Sequence, residues 1–269
     1  LTRYAYAVDL RNFFQFASVQ DDLFPEKAVP SLTAKDLEKV KAYHIELFLD
    51  TVSLYQKGER EYMNQELAKA RKLSSLRSFF KYLHKQELLP TNVAALVDLP
   101  KLHEKAIVRL EPNEIADLLD LAENGEGLTD RQKKFHEATR IRDVAILTLF
   151  LGTGIRISEL VGIDLDDIDF DNDAFVVTRK GGGEDILSFG DEVHRALWEY
   201  RCRRISQTPL EGHEKAFFLS LQMRRISARA VELLVKKYAR LASPLKKITP
   251  HKLRSTYGTM LYHETEDIY

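Results

Sequence analysis

Cysteine is almost missing from this sequence: Cys202 stands alone, which excludes internal disulfides and any zinc site built on several thiolates. A lone thiol fits a reducing, cytoplasmic setting. Long apolar runs are missing too. The most apolar segment, VAILTLFLGTG (residues 144–154), is too short to cross a bilayer and reads as a buried helix, so no membrane association is expected. No signal-peptide pattern opens the chain, and Leu1 in place of Met predicts a piece of a longer polypeptide. The motifs GxxxxGK[ST], HExxH and GxSxG do not occur, which sets aside a P-loop nucleotide hydrolase, a zincin and a hydrolase elbow. Excess charge of one sign is lacking as well, because the net charge is −1.

What is present is a segregation of that charge. Between Lys57 and Lys85, the basic residues Lys57, Arg60, Lys69, Arg71, Lys72, Arg77, Lys81 and Lys85 outnumber Glu59, Glu61 and Glu66. From Lys236 to Arg254 come Lys236, Lys237, Arg240, Lys246, Lys247, Lys252 and Arg254 without one acid. The balancing acids gather in DLDDIDFDND, Asp164 to Asp173. Such an arrangement suits a basic face turned to a polyanion, with the acidic run in solvated turns away from it.

The chain of 269 residues is long enough for two modest domains. Residues 1–100 read as helices throughout: RYAYAVDLRNFFQFA, then LTAKDLEKVKAYHIELFLDTV after a Thr33 cap, then NQELAKARKLSSLRSFFKYLHKQELL. In the third, Leu67, Leu73, Leu76, Phe80 and Leu83 are expected to face the core, with Lys69, Lys72, Arg77 and Lys81 around the polar side. Residues 101–110, KLHEKAIVRL, read as an interdomain linker. Residues 111–269 read as a mixed domain. EPNEIADLLDLAEN is a helix, GEGLTDRQKKFHEATRIRD a connection, RDVAILTLFLG a buried helix and RISELVGI a short one. AFVVTRKGGGEDILSF has a hairpin pattern, and two more amphipathic helices follow. The fold class expected is mainly α with a small antiparallel β-sheet in the second domain.

ITPHKLRSTYGT, Ile248 to Thr259, predicts a helix start, with Thr249 as N-cap and Pro250 at the first helical position. His251 and Arg254 then share one face of its first turns, where unpaired N–H groups and the dipole favour an anion. Arg156 follows a glycine turn at the start of a short helix, and Glu159 one turn later is placed to hold its guanidinium. Lys180 stands at the hairpin tip. Each has a plainer reading: surface charge for HKLR, a structural ion pair for Arg156 with Glu159, an ordinary exposed tip for Lys180.

Taken in order, RDVAILTLFLGTGIRISELVGIDLDDID, RKGGGEDILSFGDEV and ISARAVELLVKKYARLA with ITPHKLRSTYGTMLY resemble the catalytic domain of tyrosine recombinases, the phage integrase family. ARKLSSLRSFFKYLHKQELLPTNVAALVDLPK resembles their helical, SAM-like core-binding domain. The resemblance spans nearly the whole chain and looks closest to the Xer-type branch of site-specific recombinases. It implies DNA strand cleavage by a tyrosine, giving a 3′-phosphotyrosine and a free 5′-hydroxyl. Arg156 and Arg254 match the family's arginine pair, His251 its histidine and Lys180 its hairpin general acid; no metal and no cofactor are implied. The implied partner is double-stranded DNA with an inverted-repeat site, bound by a homo-oligomer, four protomers in the complete assembly. Lys69, Lys72, Arg77, Lys81, Arg224 and Arg225 are candidates for DNA contact.

The family continues with an LGH-type motif and then the nucleophile, whereas this sequence ends at HETEDIY. Tyr269 comes too soon after Arg254, and Tyr257 and Tyr262 lie on the HKLR helix as packing residues. The catalytic domain is therefore expected to be incomplete, with no nucleophile in this chain and no cleavage by the fragment. The role implied is Xer-type chromosome dimer resolution. A mobile-element integrase with the same chemistry, a type IB topoisomerase, a non-catalytic DNA-binding regulator and a helical scaffold are the competing classes. Retention of all four cationic matches argues against the regulator, and the confined basic segments argue against the scaffold.

Overall fold

A computed structural model describes residues 2–24, 27–52, 54–57, 60–63, 66–101, 107–179 and 181–266, with the backbone alone at residues 2, 54–57, 60–63 and 264. The chain divides into two units, Leu1–Lys105 and Ala106–Tyr269. In the first, α1 (Thr2–Ala17), α3 (Ala42–Thr51) and α4 (Glu66–Lys85) enclose a core. Phe13 on α1 meets Phe48 of α3 and Phe80 of α4 edge-to-face, at centroid distances of 5.4 and 6.3 Å. Such pairs add about 0.5–1.5 kcal/mol each beyond the area they bury.

Three expectations for this unit change. The segment after Thr33 is two helices, α2 (Ala34–Leu37) and α3, because each closes its own first turn. Asp36 accepts from the Thr33 N–H at 2.9 Å, and His44 Nδ1 lies 2.9 Å from the Lys41 N–H. Leu37, Val40, Ile45 and Phe48 are all buried, so the apolar spacing survives the break. Ahead of α4 the chain forms a hairpin that the helical reading passed over, β1 (Leu54–Lys57) antiparallel to β2 (Arg60–Met63).

On α4, Leu73, Leu76, Phe80 and Leu83 are buried as expected, but Leu67 is 59% exposed and Lys72 is buried. At about 100° per residue, Leu67 points roughly opposite Leu76, whereas Lys72 precedes Leu76 by four residues and shares its face. Lys72 Nζ accordingly lies 3.5 Å from the buried Asp9, which also accepts from Ser75 at 2.9 Å and from Arg71.

The second unit is built around α6 (Asp130–Thr153), whose residues 145–147 and 149–151 are buried in the core. The connection expected over 125–143 is helical from Asp130, since Thr129 and Gln132 form a reciprocal capping box. Asp143 on α6 accepts from Lys237 at 3.0 Å and Tyr238 at 3.1 Å, tying α6 to α9 (Ala228–Ala242). Buried side chains of α5 (Pro112–Asn124) and α8 (Asp191–Arg204) join the same core. Leu110, the last residue of the expected linker, is also buried there, its N–H 3.1 Å from Thr256 Oγ1. Residues 102–106 of that linker lie outside the described residues.

The sheet is small and antiparallel, β3 (Ile168–Asp169), β4 (Ala174–Thr178) and β5 (Glu184–Ser188) in that order, with Ala174 opposite Ser188 and Thr178 opposite Glu184. Phe175 and Val177 face the core. The acidic run forms the turns around β3, though two of its members are paired: Asp164 with Arg225 and Asp173 with His194. No helix among the described residues is long and apolar enough to cross a membrane.

Candidate active site

The site grows from the end of α6. That helix stops at Gly154, whose φ of +58° is the left-handed conformation glycine adopts freely. A Cβ on Gly154 would overlap the ring of Tyr257 on α10 (Pro250–Thr265). The freed carbonyl of Gly154 accepts a hydrogen bond from Arg254 Nη1. Two residues on, Arg156 is the N-cap of α7 (Ile157–Gly162). One turn therefore anchors one arginine through a backbone carbonyl and carries the other in its own chain.

Glu159 fixes the second arginine. Its carboxylate accepts the Arg156 N–H at 2.9 Å and the Arg156 guanidinium at 2.8 Å. The Glu159 side chain is 2% exposed, that of Arg156 50%, so the guanidinium is held from within while facing solvent. Arg179, at the end of β4, donates to the same Glu159 oxygen at 3.0 Å and to Asp185 at 2.6 Å. Burial pushes the Glu159 carboxyl up, but the Arg156 amide and guanidinium and Arg179 together outweigh it, and the net shift is downward. Arg254 is shifted down by burial first, then by the positive charges of Arg156 and Arg179. Three guanidiniums thus lie close enough to feel one another, around one buried carboxylate. A phosphate is a fitting counter-ion for such a cluster.

His251 is placed by the start of α10. Thr249 Oγ1 accepts the Lys252 N–H at 3.4 Å and Pro250 occupies the first turn, as the sequence predicts. The exposed His251 edges a groove of about 750 Å³ whose walls include Ile157 of α7 and the cations Lys236, Arg240 and Lys247. Among the described residues no group of three or more His, Cys, Asp and Glu side chains could hold a metal ion.

The model of the phage integrase family matches residues 108–268. The chain belongs to that family, the tyrosine recombinases. Over 268 aligned residues it is 34% identical to tyrosine recombinase XerC of Caldanaerobacter subterraneus subsp. tengcongensis, covering 96% of this chain and 69% of the relative. It is 31% identical to XerS of Streptococcus thermophilus, covering 98% and 80%. Its fold is similar to that of the XerH site-specific recombinase bound to palindromic difH substrate, with a TM-score of 0.68 at 16% identity over 97% of this chain and 69% of that one.

For a tyrosine recombinase, the structure sorts the expected residues unevenly. Arg156, Glu159 and Arg254 come together around the Gly154 turn, and His251 stands one helical turn before Arg254. Lys180 lies outside the described residues. Of the DNA-contact candidates, Lys81 and Arg224 are exposed. Lys69 is largely covered and sits 3.4 Å from Glu66. Lys72 is buried against Asp9, and Arg77 donates to the carbonyls of Ala94 and Val97 at 3.2 and 2.5 Å. Arg225 binds the carbonyls of Val161, Gly162 and Ile163 together with Asp164. Lys72, Arg77 and Arg225 are thus each engaged inside their own units. What the sequence reading missed is Arg179. The signal was present in TRKGGGED, where an arginine entering the hairpin tip has an acid diagonally across from it.

Proposed function

We propose that this protein is a site-specific DNA recombinase that cuts and rejoins strands through a 3′-phosphotyrosine. The observation that carries the proposal is the anchoring of Arg156 and Arg254 to one backbone turn, with one guanidinium half-exposed beside the other. In-line attack by a tyrosine oxygen forms its bond to phosphorus as the bond to the 5′-oxygen breaks, and charge builds on the non-bridging oxygens. Two guanidiniums fixed in advance stabilise that charge without reorganising. His251, on the same helix face as Arg254, takes the proton relay for the attacking tyrosine. Lys180, which matches the family's general-acid lysine, protonates the leaving 5′-oxygen, and the reverse sequence reseals the strand.

Tyr257 packs against Gly154, whereas Tyr262, expected to pack, is 45% exposed; the nucleophile is left unassigned among the tyrosines of the full-length protein. The substrate we propose is a duplex with an inverted repeat, the kind of palindrome in the XerH complex, bound by several protomers with four in the complete assembly. The XerC and XerS relatives favour a Xer-type role in resolving chromosome dimers.

The test incubates full-length protein with a nicked suicide duplex carrying a Xer-type inverted repeat and looks for a covalent protein–DNA band on a denaturing gel. Mapping the modified peptide identifies the tyrosine. Arg156→Ala and Arg254→Ala should each slow the band's formation by about a hundredfold or more while DNA binding largely survives. Cleavage by both variants at the parental rate would refute the clamp.

A further inference from the structure

Arg179 has no part in the scheme above, yet it shares one carboxylate oxygen with Arg156. Both guanidiniums donate to Glu159 Oε1, at 2.8 Å from Arg156 and 3.0 Å from Arg179. The two cations are held differently. Arg156 has a half-exposed side chain, and Glu159 is its one carboxylate partner among the described residues. Arg179 is braced on both sides, by Glu159 and, through Nε, by Asp185 at 2.6 Å. Its backbone is fixed as well, the N–H donating to the Gly183 carbonyl at 2.6 Å and the carbonyl accepting from Gly182 at 3.0 Å.

This difference matters when a phosphate arrives. To meet a non-bridging oxygen, the Arg156 guanidinium must loosen its hold on Glu159, and that buried carboxylate has little access to water for compensation. A buried carboxylate left with only the Arg156 backbone N–H would draw the guanidinium back. A second cation already seated on the same oxygen removes that pull.

We propose that Arg179 is a positioning residue for strand cleavage: it is the standing counter-ion of Glu159 and leaves Arg156 free to engage the scissile phosphate. The proposal deepens the strand-transfer reading of this site and rests on it. The plain alternative is a hairpin staple, in which the Arg179–Asp185 pair only joins the end of β4 to the start of β5.

A double-mutant cycle in the full-length protein separates the two. Single-turnover formation of the covalent complex on the nicked duplex is measured for the parent, Arg179→Ala, Arg179→Lys, Glu159→Gln and the Glu159→Gln/Arg179→Ala pair. Affinity for an intact duplex is measured alongside. Arg179→Ala should slow cleavage by about tenfold with affinity changed less than about twofold, and Arg179→Lys should recover most of the rate. Once Glu159 is neutral it needs no counter-ion, so adding Arg179→Ala to Glu159→Gln should change the rate by less than about twofold. An equal fold-loss in both backgrounds identifies a staple and overturns the proposal, as does a parental rate in Arg179→Ala or a loss confined to affinity. Absence of the covalent band in the parent overturns the strand-transfer reading, and this proposal with it.

Discussion

Replacing Gly154 with alanine tests the centre of the site without touching a charged group. Two costs follow from the structure. At a φ of +58° the residue is left-handed, which costs an L-residue with a Cβ about 1–2 kcal/mol. The new Cβ also overlaps the Tyr257 ring, and forcing an extra carbon into packed surroundings costs about 1–3 kcal/mol. The sum is about 2–5 kcal/mol. Urea unfolding followed by far-ultraviolet circular dichroism reads it as a fall in the midpoint of the second unit. Tyr257→Ala divides the two costs, because removing the ring relieves the overlap and leaves the backbone term. Gly154→Ala should then cost only about 1–2 kcal/mol in the Tyr257→Ala background. A Gly154→Ala protein within about 0.5 kcal/mol of the parent, or an unchanged cost without the ring, would refute this account of the turn.

Other outcomes follow from single residues. Asp143→Ala leaves Lys237 and Tyr238 without their shared acceptor and should destabilise the second unit by about 3–5 kcal/mol in denaturant titration. Glu159 is held below its ordinary carboxyl range when folded, so the stability it gives is complete above the unfolded value of about 4.3 and is lost as pH falls through the folded one. Acid titration of Glu159→Gln should show a shallower loss of stability below about pH 4 than the parent. Arg77→Ala should lower the stability of the first unit by about 1–3 kcal/mol through the unpaired Ala94 and Val97 carbonyls. Lys81→Ala should leave stability within about 0.5 kcal/mol and reduce the salt slope of DNA binding by about one, read by fluorescence anisotropy across salt concentrations.

The site was more legible than the helix faces around it. Thr249, Pro250, His251 and Arg254 are neighbours in sequence, so helix periodicity and cap chemistry placed them with no tertiary information. Glu159 was in reach for the same reason, standing three residues from Arg156. Arg179 was not: it meets Glu159 across twenty residues, and only the closing of the sheet brings them together. The α4 cations show the opposite failure. Their positions relative to Leu73 and Leu76 place Lys69, Lys72 and Arg77 toward the apolar face, but charge alone was taken as a sign of exposure. A buried acid, Asp9, lies more than sixty residues away and makes Lys72 tolerable inside. The break after Leu37 was hidden because two short helices with separate caps kept one apolar spacing.

The two halves of the clamp lie far apart in the chain and meet where Arg254 docks on the carbonyl of Gly154, a hundred residues before it. During synthesis Arg156 is complete long before Arg254 exists, and the two guanidiniums come together only once α10 has docked on the end of α6. Until then one guanidinium is present without the other. In the clamp we propose, this long-range pairing acts as an interlock: only the assembled second unit brings both guanidiniums to one turn.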